Sequence, residues 1–254
     1  MHPGTVVRPP RRTPIYPRLG FHRNPAQERR RCAFTLIELL VVIAIIAILI
    51  GLLFPAFKAV QNQAKQAQAK NDLTQIVNAV NAFYTEYGKY PLPSSTTTDF
   101  IYGPGGNSSP PSNAELFYTL RGVNAGTMNA NNAANPRIIV FINPPYVKNQ
   151  TNPRSGIATQ AATINCFSVA IGDFVDPWGT PYDVEIDGDY NNQITTNPYG
   201  PNGGAGPQPL TIGVIAWSLG LDGVLGTKTG TCTGDNIFKN STTGAQSDDV
   251  ISWQ

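Results

Sequence analysis

Histidine occurs twice, at His2 and His22, and nowhere beyond residue 33. Its absence removes Ser-His-Asp triads, Cys-His dyads and histidine-ligated metals from the rest of the chain. Catalysis there would need a pair of carboxylates, as in glycoside hydrolysis, or a Ser-Lys arrangement. Asp173 with Asp176, and Asp183 with Glu185, are the available pairs. Each sits beside a turn or in a strand where solvation accounts for it, and no glycine-rich phosphate loop is present. The chain is therefore not expected to be an enzyme. Asp187-Gly188-Asp189-Tyr190-Asn191 reproduces the first, third and fifth ligand positions of an EF-hand loop. Position six is Asn192 instead of Gly, and position twelve is Pro198 instead of the bidentate Glu, so the segment reads as a turn. Beyond residue 33 the cysteines are Cys166 and Cys232. In an oxidising compartment they are either a disulfide or two buried thiols.

The carboxylate in the least ordinary setting is Glu38. It stands directly before Leu39–Phe57, nineteen residues without a charged or hydrogen-bonding side chain. As a helix at ~1.5 Å per residue this run reaches ~28 Å, close to the ~30 Å hydrocarbon core of a bilayer. It exceeds the ~7–15 apolar residues of a secretory signal, and no A-x-A cleavage pattern follows it. A buried helix of a soluble protein would show an interrupting polar face. The run is read as a single membrane span. The net charge of +2 hides the feature that orients it. Residues 1–33 hold eight Arg against Glu28, or +7, whereas the remainder holds ten basic against fifteen acidic residues, or −5. Cytoplasmic flanks are enriched in Lys and Arg, so residues 1–33 stay inside and the carboxy-terminal bulk is exported. The proline-rich basic head has no apolar periodicity and reads as disordered.

Past Lys58 the chain is rich in good helix formers, and Leu73, Ile76, Val77, Val80, Tyr84 and Tyr87 recur at three- and four-residue steps. Gly88 and Pro91 stop that helix. One helix over Phe34–Tyr87, broken or bent at Pro55, is expected, with Asn71, Asn78 and Asn81 on its solvated face. Beyond it, Ala114–Arg121 reads as a short helix. Arg137–Ile142, Tyr182–Ile186 and Ile212–Trp217 read as strands, and Asp176–Pro181 as a turn feeding the second. The fold class is α+β, an antiparallel sheet packed on the long helix. The head carries no basic cluster, so nucleic-acid binding is not expected.

Arg29-Arg30-Arg31-Cys32-Ala33 followed by Phe34-Thr35-Leu36-Ile37-Glu38-Leu39-Leu40 resembles the processing site of type IV pilin-like proteins. The resemblance implies cleavage by a prepilin peptidase between Ala33 and Phe34 and N-methylation of Phe34, leaving 221 residues. The family usually has Gly where this chain has Ala33, and its leader is usually shorter. Pro55 falls where the family often has a kinking proline. The implied division is a leader (1–33), a transmembrane and filament-core helix (34–57), its amphipathic continuation (58–88) and an exported head (89–254). In this family Glu38 acquires a partner, because packed helices bring a neighbour's new Phe34 amine beside it, or the pair closes within one subunit, and each charge reduces the other's cost.

Four head motifs, in order, are similar to the major pseudopilin of type II secretion systems: Tyr87–Pro91, Asp176–Tyr182, Trp217–Gly223 and Asp248–Trp253. Insertions fall near 95–165 and 190–210. The implied function is a structural subunit of a pseudopilus that grows from the inner membrane to drive protein export. Its partners would be further copies of itself, the prepilin peptidase, minor pseudopilins and an inner-membrane assembly platform. The amino terminus would be cytoplasmic and the head periplasmic or extracytoplasmic. In those proteins calcium ties down the carboxy-terminal loop. Carried over, its ligands are the Leu219 carbonyl, Asp222, Asp248 and Asp249, against the alternative of two ordinary Asp-containing turns. A true type IV pilus subunit, or a single-pass anchored binding protein, are the other readings.

Overall fold

The computed structural model describes residues 35–104, 112–164 and 166–254, leaving aside the side chains of residues 55 and 56. The basic leader expected over 1–33 and the cleavage residues Ala33 and Phe34 lie outside the described residues.

The first element is α1, Leu36–Tyr87. Good helix formers carry it, and the helix continues through Pro55. Gly88 ends it at φ +66°, where a Cβ would be strained. The chain divides into two compact units, residues 1–51 and 52–254. In the first, every described side chain from Leu36 to Ile50 is exposed, and α1 is long and apolar enough to cross a membrane. A continuous apolar surface of that extent marks a contact with lipid or protein.

In the second unit, Ala69, Leu73, Ile76, Ala79, Val80 and Phe83 of α1 are buried in the main core. The expected stripe is one position off at its end. Phe83 enters the core, whereas Tyr84 is exposed and stacks on Tyr90 with ring centroids 4.6 Å apart. Asn71, Asn78 and Asn81 face solvent. Against this stripe lies a four-stranded antiparallel sheet in the order β1-β6-β7-β8, formed by Phe100–Tyr102, Asp183–Ile186, Val214–Ser218 and Val250–Ile251. Side chains alternate across a strand. Tyr102, Val184, Ile186, Val214, Ala216 and Val250 therefore join α1 and the short helix α2, Ala114–Leu120, while Ile215, Trp217 and Ile251 join Ile194, Tyr199, Leu210 and Phe238 beneath the long loops. Two small pairs complete the architecture: β2 (Gly156–Ile157) with β5 (Phe174–Val175), and β3 (Ala162–Ile164) with β4 (Phe167–Val169).

The α+β class is as expected, but Arg137–Ile142 is not a strand. Buried Asn135 takes over the local backbone. Its Nδ2 donates to the carbonyls of Ile139 (2.7 Å) and Thr119 (2.8 Å), and its Oδ1 accepts from the Ile139 N–H (3.0 Å). An amide side chain that occupies both backbone groups of one residue leaves no ladder to extend.

Candidate functional site

The amino-terminal segment begins with a reciprocal cap. Glu38 Oε2 accepts from the Thr35 N–H and the Thr35 hydroxyl, both at 2.8 Å, and the Glu38 N–H donates to Thr35 Oγ1 at 3.3 Å. This is the Thr-x-x-Glu capping box, which satisfies two helix-end donors at once. Thr35 is a capping residue that sequence reasoning passed over, although the Thr-x-x-Glu pattern was there to read. One carboxylate oxygen of Glu38 is thus committed to its own helix end. The acid sits where the exposed apolar surface begins, four positions after Phe34 in the sequence.

In the head, the segment Asp176–Tyr182 fastens the sheet to α1. Asp176 Oδ1 accepts from the N–H groups of Trp178 (2.8 Å), Gly179 (2.7 Å) and Thr180 (2.9 Å), and its Oδ2 accepts from the Ser218 hydroxyl (2.6 Å). The turn then aims two side chains at the helix. Trp178 Nε1 donates to Asn62 Oδ1 (3.1 Å), and the Tyr182 hydroxyl donates to Asp72 Oδ2 (2.8 Å). Complete burial pushes the Asp176 carboxyl up to about 6 despite these four donors. Lys70 of α1 donates to the carbonyls of Ile251 (2.7 Å) and Gln254, holding the carboxy-terminal tail against the same helix.

The two carboxylate pairs are not solvated, contrary to expectation. Asp173, Asp176, Asp183 and Glu185 are all buried. Asp173 accepts from the Ser112 hydroxyl and from the N–H groups of Ala114 (3.0 Å) and Ala170 (2.6 Å), so it anchors the start of α2. Asp173 and Asp176 thus hold backbone donors that would otherwise be orphaned, which is structural work.

At the far end of the sheet, Asp222, Asp248 and Asp249 each present a carboxylate oxygen within 4.8 Å of the others. Asp248 Oδ2 accepts from the N–H groups of Leu221 and Asp222, and Asp222 Oδ1 accepts from the Val224 N–H. Asp249 Oδ2 accepts from the Tyr199 hydroxyl (2.8 Å) and the Gly226 N–H (2.7 Å). Its Oδ1 is buried without a hydrogen-bond partner. Burial first, then the neighbouring Asp248 and Asp222 charges, push Asp249 up to about 7. The Leu219 carbonyl accepts from the Gly223 N–H at 3.1 Å, closing the turn beside the acids. Gly220 sits at φ +65°, and a Cβ there would meet the Asp248 carbonyl oxygen at 2.5 Å. Only glycine lets the 219–223 turn approach residue 248 so closely. An all-oxygen cluster with an orphaned, buried carboxylate oxygen fits a hard divalent cation.

Cys166 and Cys232 form a disulfide, with Cα atoms 5.7 Å apart, linking β4's entry to the 224–249 loop. The bond closes a span of 66 residues.

No curated protein and no solved structure matches the chain. Residues 29–54 match the model of the prokaryotic N-terminal methylation motif. That segment contains the arginine cluster, the Thr35–Glu38 cap and most of the exposed apolar surface of α1. A motif of this kind, leading one long helix into a small antiparallel sheet, supports a type IV pilin-like protein with a prepilin peptidase site.

Proposed function

We propose that the chain is a structural, non-enzymatic subunit of a type II secretion pseudopilus. The observation that carries the reading is the methylation motif set on an exposed apolar helix whose first turn holds Glu38. Before assembly, the Leu39–Phe57 run anchors the chain in the inner membrane, amino end in the cytoplasm and head beyond the bilayer. The prepilin peptidase cuts between Ala33 and Phe34 and methylates the new amine. The rods then leave lipid for one another. Lipid tails are as apolar as leucine, so this exchange gains little from the hydrophobic effect and relies on close packing and polar pairing. Glu38 is the acid available to an incoming subunit's Phe34 amine. Its Thr35 contacts hold the carboxylate at the rod's end, preorganised for that pairing. Minor pseudopilins and the inner-membrane platform are the remaining partners of such a filament.

The pseudopilus reading, over a true pilus, is supported by the similarity of the head motifs and by the convergence of Asp222 with Asp248 and Asp249 across 26 residues. We assign calcium to that cluster, with the Leu219 carbonyl as a further ligand. A bound cation there supplies positive charge to the orphaned Asp249 oxygen. The chain's own residues position the site: Gly220 permits the close approach, and Tyr199 and Gly226 orient the Asp249 carboxylate.

The decisive experiment is mass spectrometry of the membrane-extracted protein with electron microscopy of its polymer. An amino terminus at N-methyl-Phe34 and short periplasmic filaments are expected. A chain still beginning at Met1 would refute processing, and long surface fibres would transfer the assignment to a true pilus.

A further inference from the structure

A second carboxylate cluster lies at the opposite end of the central strand from the Asp248 loop. Asp99, Asp187 and Asp189 each present an oxygen within 4.8 Å of the others. Strand register explains the meeting. Phe100 pairs with Ile186 and Ile101 with Glu185, so the next step outward sets Asp99 beside Asp187. Alternation then puts Glu185, Asp187 and Asp99 on the same sheet face, the one turned away from α1.

A separate observation marks the spot as a ligand position. Glu185 is 2% exposed, and its Oε2 is buried without a hydrogen-bond partner. Asp99 is diagonal to it across the strand pair and on the same sheet face, and after burial its charge raises the Glu185 carboxyl, so the orphaned oxygen belongs to a residue that adjoins the cluster. Asp99 repeats the pattern. Its Oδ2 accepts from the Thr195 N–H at 2.7 Å, while its Oδ1 is buried and unpartnered. Asp187 is 1% exposed and accepts from the N–H groups of Tyr190 (2.7 Å) and Asn192 (2.6 Å). Asp189 stands at the exposed mouth. No lysine or arginine forms an ion pair with any of these four among the described residues. Charged carboxylates buried without a cation are costly.

We propose that Asp99, Asp187 and Asp189 form a divalent-cation site distinct from the Asp222–Asp249 cluster, with Glu185 as the fourth carboxylate beneath it. The donors are all hard oxygens on a loop and a strand end, without nitrogen or sulfur, which suits Ca²⁺ over Zn²⁺. The Asp187–Asn191 loop lacks an EF-hand's downstream Glu, and Asp99 supplies the missing carboxylate from the neighbouring strand. An ion here would pin the 188–195 loop over the outer face of the sheet.

The test is calorimetric titration of Ca²⁺ into the full chain in detergent after chelator treatment. Two equivalents are expected. Asp222→Asn should remove one and leave the other, whereas the double variant Asp99→Asn/Asp189→Asn should do the reverse. Asp189→Asn alone should weaken the second equivalent about tenfold, since affinity follows ligand charge. It touches only an exposed loop side chain, so its far-ultraviolet circular dichroism should match the parent. The absence of any equivalent that Asp189→Asn weakens would overturn the proposal, whereas a single equivalent weakened by Asp189→Asn and kept in Asp222→Asn would uphold it and dismiss only the Asp222–Asp249 site.

Discussion

Replacing Asp176 separates its two jobs, accepting hydrogen bonds and carrying a charge. Burial raises its carboxyl from the ordinary 3.8 to about 6. At ~1.4 kcal/mol per pH unit, ionising it inside the fold is about 3 kcal/mol less favourable than in the unfolded chain. The folded state holds its proton where the unfolded chain has released it. This contribution to stability is therefore greatest below pH 4, falls as pH rises to about 6, and is flat above. Asp176→Asn removes that dependence while its carbonyl oxygen still accepts from Trp178, Gly179 and Thr180. Its new amide can donate to the Ser218 hydroxyl. Asp176→Ala instead orphans the buried N–H groups of Trp178 and Thr180, at ~1–3 kcal/mol each. At pH 7.5 the Asn variant should thus exceed the Ala variant by roughly 2–6 kcal/mol in unfolding free energy. The assay is chemical denaturation of the detergent-solubilised chain, read by the fluorescence of buried Trp178 and Trp217. Equal stabilities for Asn and Ala would refute the claim that accepted hydrogen bonds, and not the charge, hold the turn. A parent whose pH slope between 4 and 6 matched that of the Asn variant would refute the buried-charge argument.

Four further outcomes can be measured elsewhere in the chain. Glu38→Ala should still be cleaved and inserted but should fail to enter filaments, as counted in sheared fractions by immunoblot; normal filaments would dismiss the pairing with the Phe34 amine. Thr35→Ala should cost ~1 kcal/mol of helix-end stability through loss of the cap, seen as faster amide exchange over the first turn of α1, with no change there counting against the reciprocal bonds. Cys166→Ser should lower head stability by up to ~4 kcal/mol, because the 66-residue loop it closes is then free in the unfolded chain; an unchanged melting temperature with and without reductant would discount the bond. Replacing Ala33 by a bulky residue should leave the leader attached, giving a larger species on a denaturing gel, and unaltered maturation would move the cleavage point elsewhere.

Much of the helical and strand scaffold is legible along the chain because its causes are local. Leu39–Phe57 needs no partner to declare itself apolar, Gly88 ends α1 by its own conformational freedom, and β6 and β7 announce themselves by branched and alternating residues. Arg137–Ile142 has the same branched character, yet it is not a strand, because Asn135 claims Ile139's backbone groups. Tyr84 has the right spacing for the core, but Phe83 is the one that faces the sheet.

The acids divide in the same way. Thr35 and Glu38 are three residues apart, so their cap can be found by reading. Whether a carboxylate is buried depends on what covers it, and the cover comes from afar: Ser218 for Asp176, Tyr199 for Asp249, Thr195 for Asp99. By itself the sequence determined that there is an anchor, a processing motif before it and a sheet-bearing head. Only the tertiary structure decided which carboxylates meet, since strand register and loop closure set distances that composition and spacing do not contain.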